Sequence, residues 1–328
     1  MILAGLPFGR ALSGSAQFLC LRRQGAVTKI ALREDHLQML ANVADTSTSG
    51  QFAWRSAGAR MQRTYGAGRL ALGVRDGRTA IRECYQEAGL RIRMPRVEPG
   101  GALEAVVINT AGGITGGDRF VLDIAAGPAT RAVVTSQAAE KVYRSSGGIG
   151  RFNTTITVAA GADLAWLPQE AILFDGSALE RSLTVDMDAG ATVLALESVV
   201  FGRLARGERV EKAYLFDRWR IRRGGRLVYA EGLRFEGGVA QALTGRACGA
   251  GAVAAASLIL VAPDAEQRVE AVRLLLEQVH VQGVEAGVSA FDGLLSLRLL
   301  AADPFALRTA LVNILVLLRG PVPRVWSC

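Results

Sequence analysis

Five carboxylates stand out by where they fall: Asp118, Glu170, Asp175, Glu197 and Glu231. Glu197 sits inside the apolar run 193–200, and a carboxylate there must be paired, protonated or facing a wet channel. Carboxylates brought together can serve acid–base chemistry or hold a hard cation through oxygen. A buried Glu–Arg pair is an equally open reading. Of the 38 basic residues, 35 are arginine, and only Lys29, Lys141 and Lys212 are lysine.

Other chemistries lack their parts. There is no Gly-x-Ser-x-Gly elbow, and the only histidines are His36 and His280. His280 falls at the end of an amphipathic segment, where a helix C-terminus favours a cation. Cys20, Cys84, Cys248 and Cys328 are too far apart for a Cys-x-x-Cys metal or redox motif, so no soft metal site is legible. Any metal handling would use carboxylates, backbone oxygens or water. The glycine-rich stretch from Asn109 to Asp118 lacks the Gly-Lys-Ser/Thr of a phosphate loop. It lies between predicted strands at 105–108 and 120–124, with no helix N-terminus to receive an anion. It reads as a tight crossing of strands, with Asp118 capping the turn or projecting into a cavity.

The elements that must carry these residues follow from composition and period. Hydrophobic residues make up 50% of the 328 and charged residues 21%, a globular composition. The net charge of +8 is scattered, dense only around Arg218–Arg226, which argues against nucleic-acid binding. The longest apolar stretch, Ala310–Leu318, is too short to cross a bilayer. The first ten residues have no basic segment before their apolar stretch, so no signal peptide is read. With four scattered thiols, a cytoplasmic protein without membrane or nucleic-acid partners is expected.

From about Gly68 the hydrophobic period is two. Leu90, Ile92 and Met94 alternate with arginines; Phe152, Thr154, Ile156 and Val158 alternate with polar residues, as do Leu183, Val185 and Met187. Trp219–Tyr229 around Gly224-Gly225 predicts a two-residue hairpin with Ile221 and Val228 on one face. Turn signals recur about every ten residues. The expected fold is mainly β: stacked, largely antiparallel sheets, β-helix- or sandwich-like, with about two helices in the C-terminal quarter. One helix is predicted at about 264–280, Asp264 and Gln267 forming a capping box. The other is predicted at 303–319, with Asp303 as N-cap, Pro304 in the first turn and Gly320 as the stop. It is apolar on nearly all sides, so a second stripe is expected to meet a partner. Residues 1–50 lack a sustained period and end in a Ser/Thr/Gly cluster, so they predict a poorly ordered extension to a single domain over 51–328.

Four segments occur in a telling order: Ala111–Arg119, Glu140–Ser146, Leu164–Asp175 and Phe201–Glu208. Together they resemble the urease accessory protein UreD (UreH) family, strongly over about residues 68–240. The resemblance implies a mainly β chaperone rather than an enzyme. It implies partners UreF, the GTPase UreG and urease apoprotein, with UreE as metal source. The implied role is GTP-dependent insertion of nickel, with no tightly bound cofactor and Ni²⁺ at most in transit. Asp118, Glu197 and Glu231 match acidic family positions and become candidates to relay the metal. Lys141, Tyr143 and Arg144 match a Lys-x-Tyr-Arg-Ser element and, with Glu140, Glu170 and Asp175, become passage or interface candidates. Glu140 departs from the family, which more usually carries a small hydroxyl residue there. The competing reading is a β-rich hydrolase using a carboxylate pair.

Overall fold

The computed structural model describes residues 62–327, apart from 98, 99 and 280, and the backbone of three strands nearer the N-terminus. Those are β1 (Ile2–Leu6), β2 (Gln17–Arg23) and β3 (Ala26–Leu32). β2 and β3 pair as an antiparallel hairpin within a compact unit spanning residues 8–55, while β1 belongs to the main unit. The expectation of a poorly ordered extension otherwise falls, like His36 and His280, outside the described residues.

The main unit starts with β4 (Tyr65–Arg75), β5 (Arg78–Ala88), β6 (Leu90–Arg93) and β7 (Leu103–Asn109). It continues through β8 (Arg119–Ala126), β9 (Arg131–Ser136), β10 (Glu140–Val142), β11 (Gly150–Val158) and β12 (Asp163–Leu167). Then come β13 (Ala171–Leu173), β14 (Ala178–Met187), β15 (Thr192–Phe201) and the long hairpin β16 (Lys212–Arg223) and β17 (Arg226–Gly238). The chain closes with α1 (Val239–Thr244), β18 (Ala254–Val261), α2 (Val269–Val279), β19 (Val284–Phe291), β20 (Leu294–Ala301) and α3 (Pro304–Arg319).

Two stacked sheets result, as the period-two pattern requires. One is ordered β1-β17-β16-β14-β11-β8-β4-β5, the other β19-β20-β18-β15-β12-β9-β7-β6, with β10 and β13 beside β15. The chain changes sheet at almost every turn between β7 and β16. Neighbours within a sheet are therefore successive coils and run parallel: β8–β11–β14–β16 in one sheet and β7–β9–β12–β15 in the other. The expected mainly β, stacked, β-helix-like fold is present, with parallel pairing in its solenoid-like centre. Alternation reports which face is buried and is the same for both polarities. Antiparallel pairing is confined to the margins, in β4–β5, β6–β7, β16–β17, β1–β17 and β15–β18–β20–β19.

Turns stack as the strands do. Ala159 N–H donates to the Ala126 carbonyl at 2.9 Å, and Asp188 N–H to that of Val158 at 2.9 Å, tying each coil to the previous one. At the other end, the glycine-rich crossing packs on the 145–148 turn. A Cβ on Gly116 would lie 1.9 Å from Ser145 Oγ and 2.5 Å from the Gly147 carbonyl oxygen, so only glycine fits.

One core lies between the sheets, with Leu122, Ile124, Ile156 and Val185 facing Leu164, Val193 and Ala195. A second lies beyond the helix-covered sheet, where Leu194, Leu196, Leu258 and Leu260 meet Leu311, Ile314 and Leu315 of α3. β15 is buried on both faces, which is why it reads as a continuous apolar run.

The β16–β17 hairpin turns at Gly224-Gly225, with φ of 56° and 78°. Regular pairing outward from Arg223 and Arg226 would set Val228 opposite Ile221. A bulge between Ile221 and Arg222 instead pairs Ile221 with Tyr229. Tyr229, Glu231 and Phe235 become the buried positions of β17. One extra residue thus decides that Glu231 points into the sandwich.

The helix α3 has the predicted ends: Asp303 Oδ2 accepts the Ala306 N–H at 3.0 Å, and Gly320 N–H donates to the Val316 carbonyl at 2.9 Å. The other predicted helix is shorter than expected, because Ala265–Arg268 forms a 3₁₀ turn before α2. Asp264 makes no side-chain cap. Its carboxylate takes two hydrogen bonds from the Arg268 guanidinium, at 2.7 and 2.9 Å, a stronger partner than a backbone amide. We expect Asp303→Ala to cost about 1 kcal/mol of stability, read from the urea midpoint, since it strands the Ala306 amide at the start of the helix that covers the second core.

Candidate functional site

Two cavities lie between the sheets. The first, about 270 Å³, includes the exposed Gln137, Ala138 and Lys141 in its lining and reaches inward to Trp166, Arg181 and Glu197. The second, about 130 Å³, is lined by Asp217, Trp219, Glu231, Ser257 and Arg298, with Arg181 and Glu197 again. Those last two are the residues common to both linings.

Strand parity brings the charged residues inward. Glu197 shares its face of β15 with Val193 and Ala195, and the register sets Glu197, Ser257 and Arg298 side by side on β15, β18 and β20. On the facing sheet, Arg181 of β14 is the direct neighbour of Asp217 of β16. Arg181 Nη2 donates to Asp217 Oδ2 at 2.5 Å and Nε lies 3.2 Å from the same oxygen. Nε also lies 2.9 Å from Glu197 Oε2 across the sandwich. Trp166 Nε1–H donates to Glu197 Oε1 at 3.1 Å. Glu231 accepts Ser257 Oγ–H at 2.8 Å and the Tyr229 hydroxyl, and lies 3.3 Å from Arg298 Nη2.

This cluster holds three acids against two guanidinium groups. Burial pushes the Glu197 carboxyl up to about 7, with Arg181 opposing the shift and Asp217 adding to it. Burial works against the charge on Arg181, but Asp217 and Glu197 more than offset it. Burial, then the neighbouring Glu231, raises the Tyr229 hydroxyl. Glu197 Oε2 and Asp217 Oδ1 are buried and accept no hydrogen bond, and Arg298 Nε donates none. Among the described residues no three His, Cys, Asp or Glu side chains are grouped to hold a metal. The arrangement is a buried carboxylate–guanidinium network in which Asp217 Oδ1 keeps an unused acceptor.

The other sequence candidates divide. Glu140, accepting Asn109 Nδ2–H at 3.0 Å, and Lys141 line the first cavity. Burial pushes the Glu140 carboxyl up to about 7 against that hydrogen bond. Asp118 does not join Glu197 and Glu231 in either lining. Its Oδ1 accepts the Thr64 N–H at 2.8 Å and its Oδ2 the Thr115 N–H at 2.9 Å, so it ties two backbone segments at the glycine crossing. Asp175 accepts the Glu211 and Lys212 amides, both at 3.0 Å, and pairs with Arg144 at 2.9 Å. The Tyr143 hydroxyl donates to the Gly112 carbonyl at 3.0 Å. Glu170 lies 3.5 Å from Arg308 of α3.

Sequence reading missed Arg181, Asp217 and Arg298. The signal was present as parity: Arg181 is in phase with Leu183 and Val185, and Asp217 with Leu215 and Trp219, all buried. A charged residue at core parity identifies an interior ionic site.

The family described as UreD urease accessory protein matches residues 65–327, and the chain belongs to it. A urease accessory protein UreD of Rhizobium leguminosarum bv. trifolii is 48% identical over 274 residues, covering 83% of this chain and 98% of that protein. The UreD of Azorhizobium caulinodans is 44% identical over 269 residues, covering 82% and 98%. UreD 1 of Brucella melitensis biotype 1 is 43% identical over 276 residues, covering 82% and 96%. Among the described residues no helix is long and apolar enough to cross a membrane.

Two variants test the site's framework. Asp118→Ala leaves two half-buried amides without an acceptor and is expected to cost about 1–3 kcal/mol, seen as a lowered thermal midpoint. Glu140 has a folded-state value above its ordinary one, so its contribution is full below about pH 4.5 and lost as pH rises through about 7. Glu140→Gln is therefore expected to match wild type at acid pH and to exceed it by about 1–2 kcal/mol near pH 8 in urea titrations, its contact with solvent limiting the gain.

Proposed function

We propose that this protein is a non-enzymatic chaperone of urease maturation, and that its interior offers Ni²⁺ a passage across the stacked sheets. In this reading it is cytoplasmic and assembles with UreF, UreG and urease apoprotein for GTP-dependent nickel insertion. The carrying observation is that two internal cavities share Glu197 and Arg181, with Glu140 at one cavity and Glu231 and Asp217 in the other. Oxygen ligands that are few and partly engaged suit a metal in transit, which must leave as readily as it enters. Family membership supports the maturation role. The relay then runs through Glu140, Glu197, Asp217 and Glu231, and Asp118 serves as a structural clamp. A match beginning at residue 65 supports reading the first fifty residues as an addition to the shared domain.

The partner face is read on α3. Seven of its residues are buried, including Leu307, Leu311, Ile314 and Leu318, whereas Phe305 is 75% exposed, Val316 48% and Leu317 43%. Phe305 and Val316 share one side of the helix with Leu317 beside them, and these exposed apolar residues support a protein contact there.

Two experiments test the reading. Glu197→Gln leaves Arg181 its Asp217 partner and should keep the fold and complex formation while lowering the nickel content of urease matured in the reconstituted complex at least several-fold. Glu231→Gln should do the same at a larger cost in thermal stability, because Arg298 loses its carboxylate. Nickel loading equal to wild type in both variants rules out the passage. Val316→Glu with Leu317→Glu should leave the isolated protein folded and weaken its capture by UreF or urease about tenfold or more; undiminished capture removes α3 from the interface.

A further inference from the structure

We propose that Arg181 is a displaceable cationic latch: its guanidinium occupies the oxygens a divalent cation would take, closes the junction between the two cavities, and yields when such a cation replaces it. This inference rests on the nickel-passage reading above and adds to it the device that keeps the passage shut.

The argument begins with position. Among the described residues Arg181 and Glu197 alone belong to both cavity linings, so the ion pair between them stands where the cavities meet. Arg181 reaches Glu197 on the opposite sheet at 2.9 Å and Asp217 on its own sheet at 2.5 Å. Its side chain is 11% exposed, and those of its partners 3% and 8%. A second cation cannot bind these two carboxylates while the guanidinium bridges them, because like charges at contact distance inside a protein repel strongly. The two must exchange.

The carboxylates are prepared for that exchange. Asp217 Oδ1 is buried without a hydrogen-bond donor, and Glu197 Oε2 meets Arg181 Nε as an ion pair at 2.9 Å without a well-aligned hydrogen bond, so Asp217 keeps an unused acceptor beside an arginine that can be replaced. With both carboxylates ionised, a guanidinium carries one positive charge against two negative ones; a divalent cation at the same place would balance both. Monovalent cations have no such advantage over the resident guanidinium. The cavities on either side give the displaced side chain room to turn. Trp166, hydrogen-bonded to Glu197, and Trp219, in the second cavity, stand close enough to report an occupant.

The test uses the full-length protein and Ni²⁺ alone, with binding followed by equilibrium dialysis and by quenching of tryptophan fluorescence. Arg181→Met should bind one Ni²⁺ at least tenfold more tightly than wild type, with quenching, and adding Glu197→Gln should abolish the gain. Arg181→Lys keeps the charge but cannot bridge both carboxylates as a planar fork does, and should show a smaller gain of a few-fold. Sodium at equal ionic strength should produce neither signal. A folded Arg181→Met or Arg181→Lys protein that binds Ni²⁺ no better than wild type overturns the latch. Should Arg181→Met fail to fold, Arg181→Lys decides alone. The outcomes separate from those of the passage: normal nickel loading by both Glu197→Gln and Glu231→Gln sinks the passage, whereas unchanged Ni²⁺ affinity on altering Arg181 sinks the latch only.

Discussion

A chain that coils between two sheets satisfies its backbone within each sheet and leaves the space between them to side chains. No main-chain hydrogen bond can join the sheets across that gap, so whatever the strands point inward must close it. Over most of its length apolar residues do so. At Arg181, Glu197 and Asp217 the closure is ionic, and a guanidinium on one sheet is held by a carboxylate on the other. Such a cross-link is tolerable in a buried place only because each charge has an opposite within bonding distance. The remaining features follow from that interior: the bulge that brings Glu231 in, the tryptophans that donate to Glu197 or pack beside it, and the cavities left where charged heads keep apolar side chains apart.

How much of this the sequence displays depends on what each pattern encodes. The strands at Leu90, Phe152 and Leu183 and the ends of α3 are legible because local chemistry sets them: alternation for burial, and Asp-Pro and Gly for the helix termini. Strand polarity is not, since a residue facing the core looks the same whether its neighbour runs with it or against it. The inward turn of Glu231 was hidden for another reason. It depends on one unpaired residue near Val228, and nothing in a Val-Tyr pair marks a bulge. Asp118 was partly legible, its place after two glycines indicating a turn, while its second role as acceptor for Thr64 needed the fold to bring residues 54 positions apart together.

β15 shows how the two cores constrain one strand. Its even positions, Leu194, Leu196 and Val200, belong to the helix-covered layer, and its odd ones, Val193, Ala195 and Val199, to the space between the sheets. Glu197 is therefore held by packing on both sides of its backbone. A carboxylate so fixed has little freedom to follow a partner, and accommodation falls to the longer arginine opposite.

Stacked coils also fix a scale. Adjacent strands in a sheet are about 4.8 Å apart, so side chains that share a register line on neighbouring strands are spaced by that interval whatever their identity. Glu197, Ser257 and Arg298 occupy three consecutive places on such a line, and Arg181 and Asp217 two on the line facing it. Polar and charged groups that face each other across the sandwich are thereby placed at intervals set by the backbone. The backbone acts as a ruler, and a change of side chain at any mark alters its chemistry without altering the distance to the next.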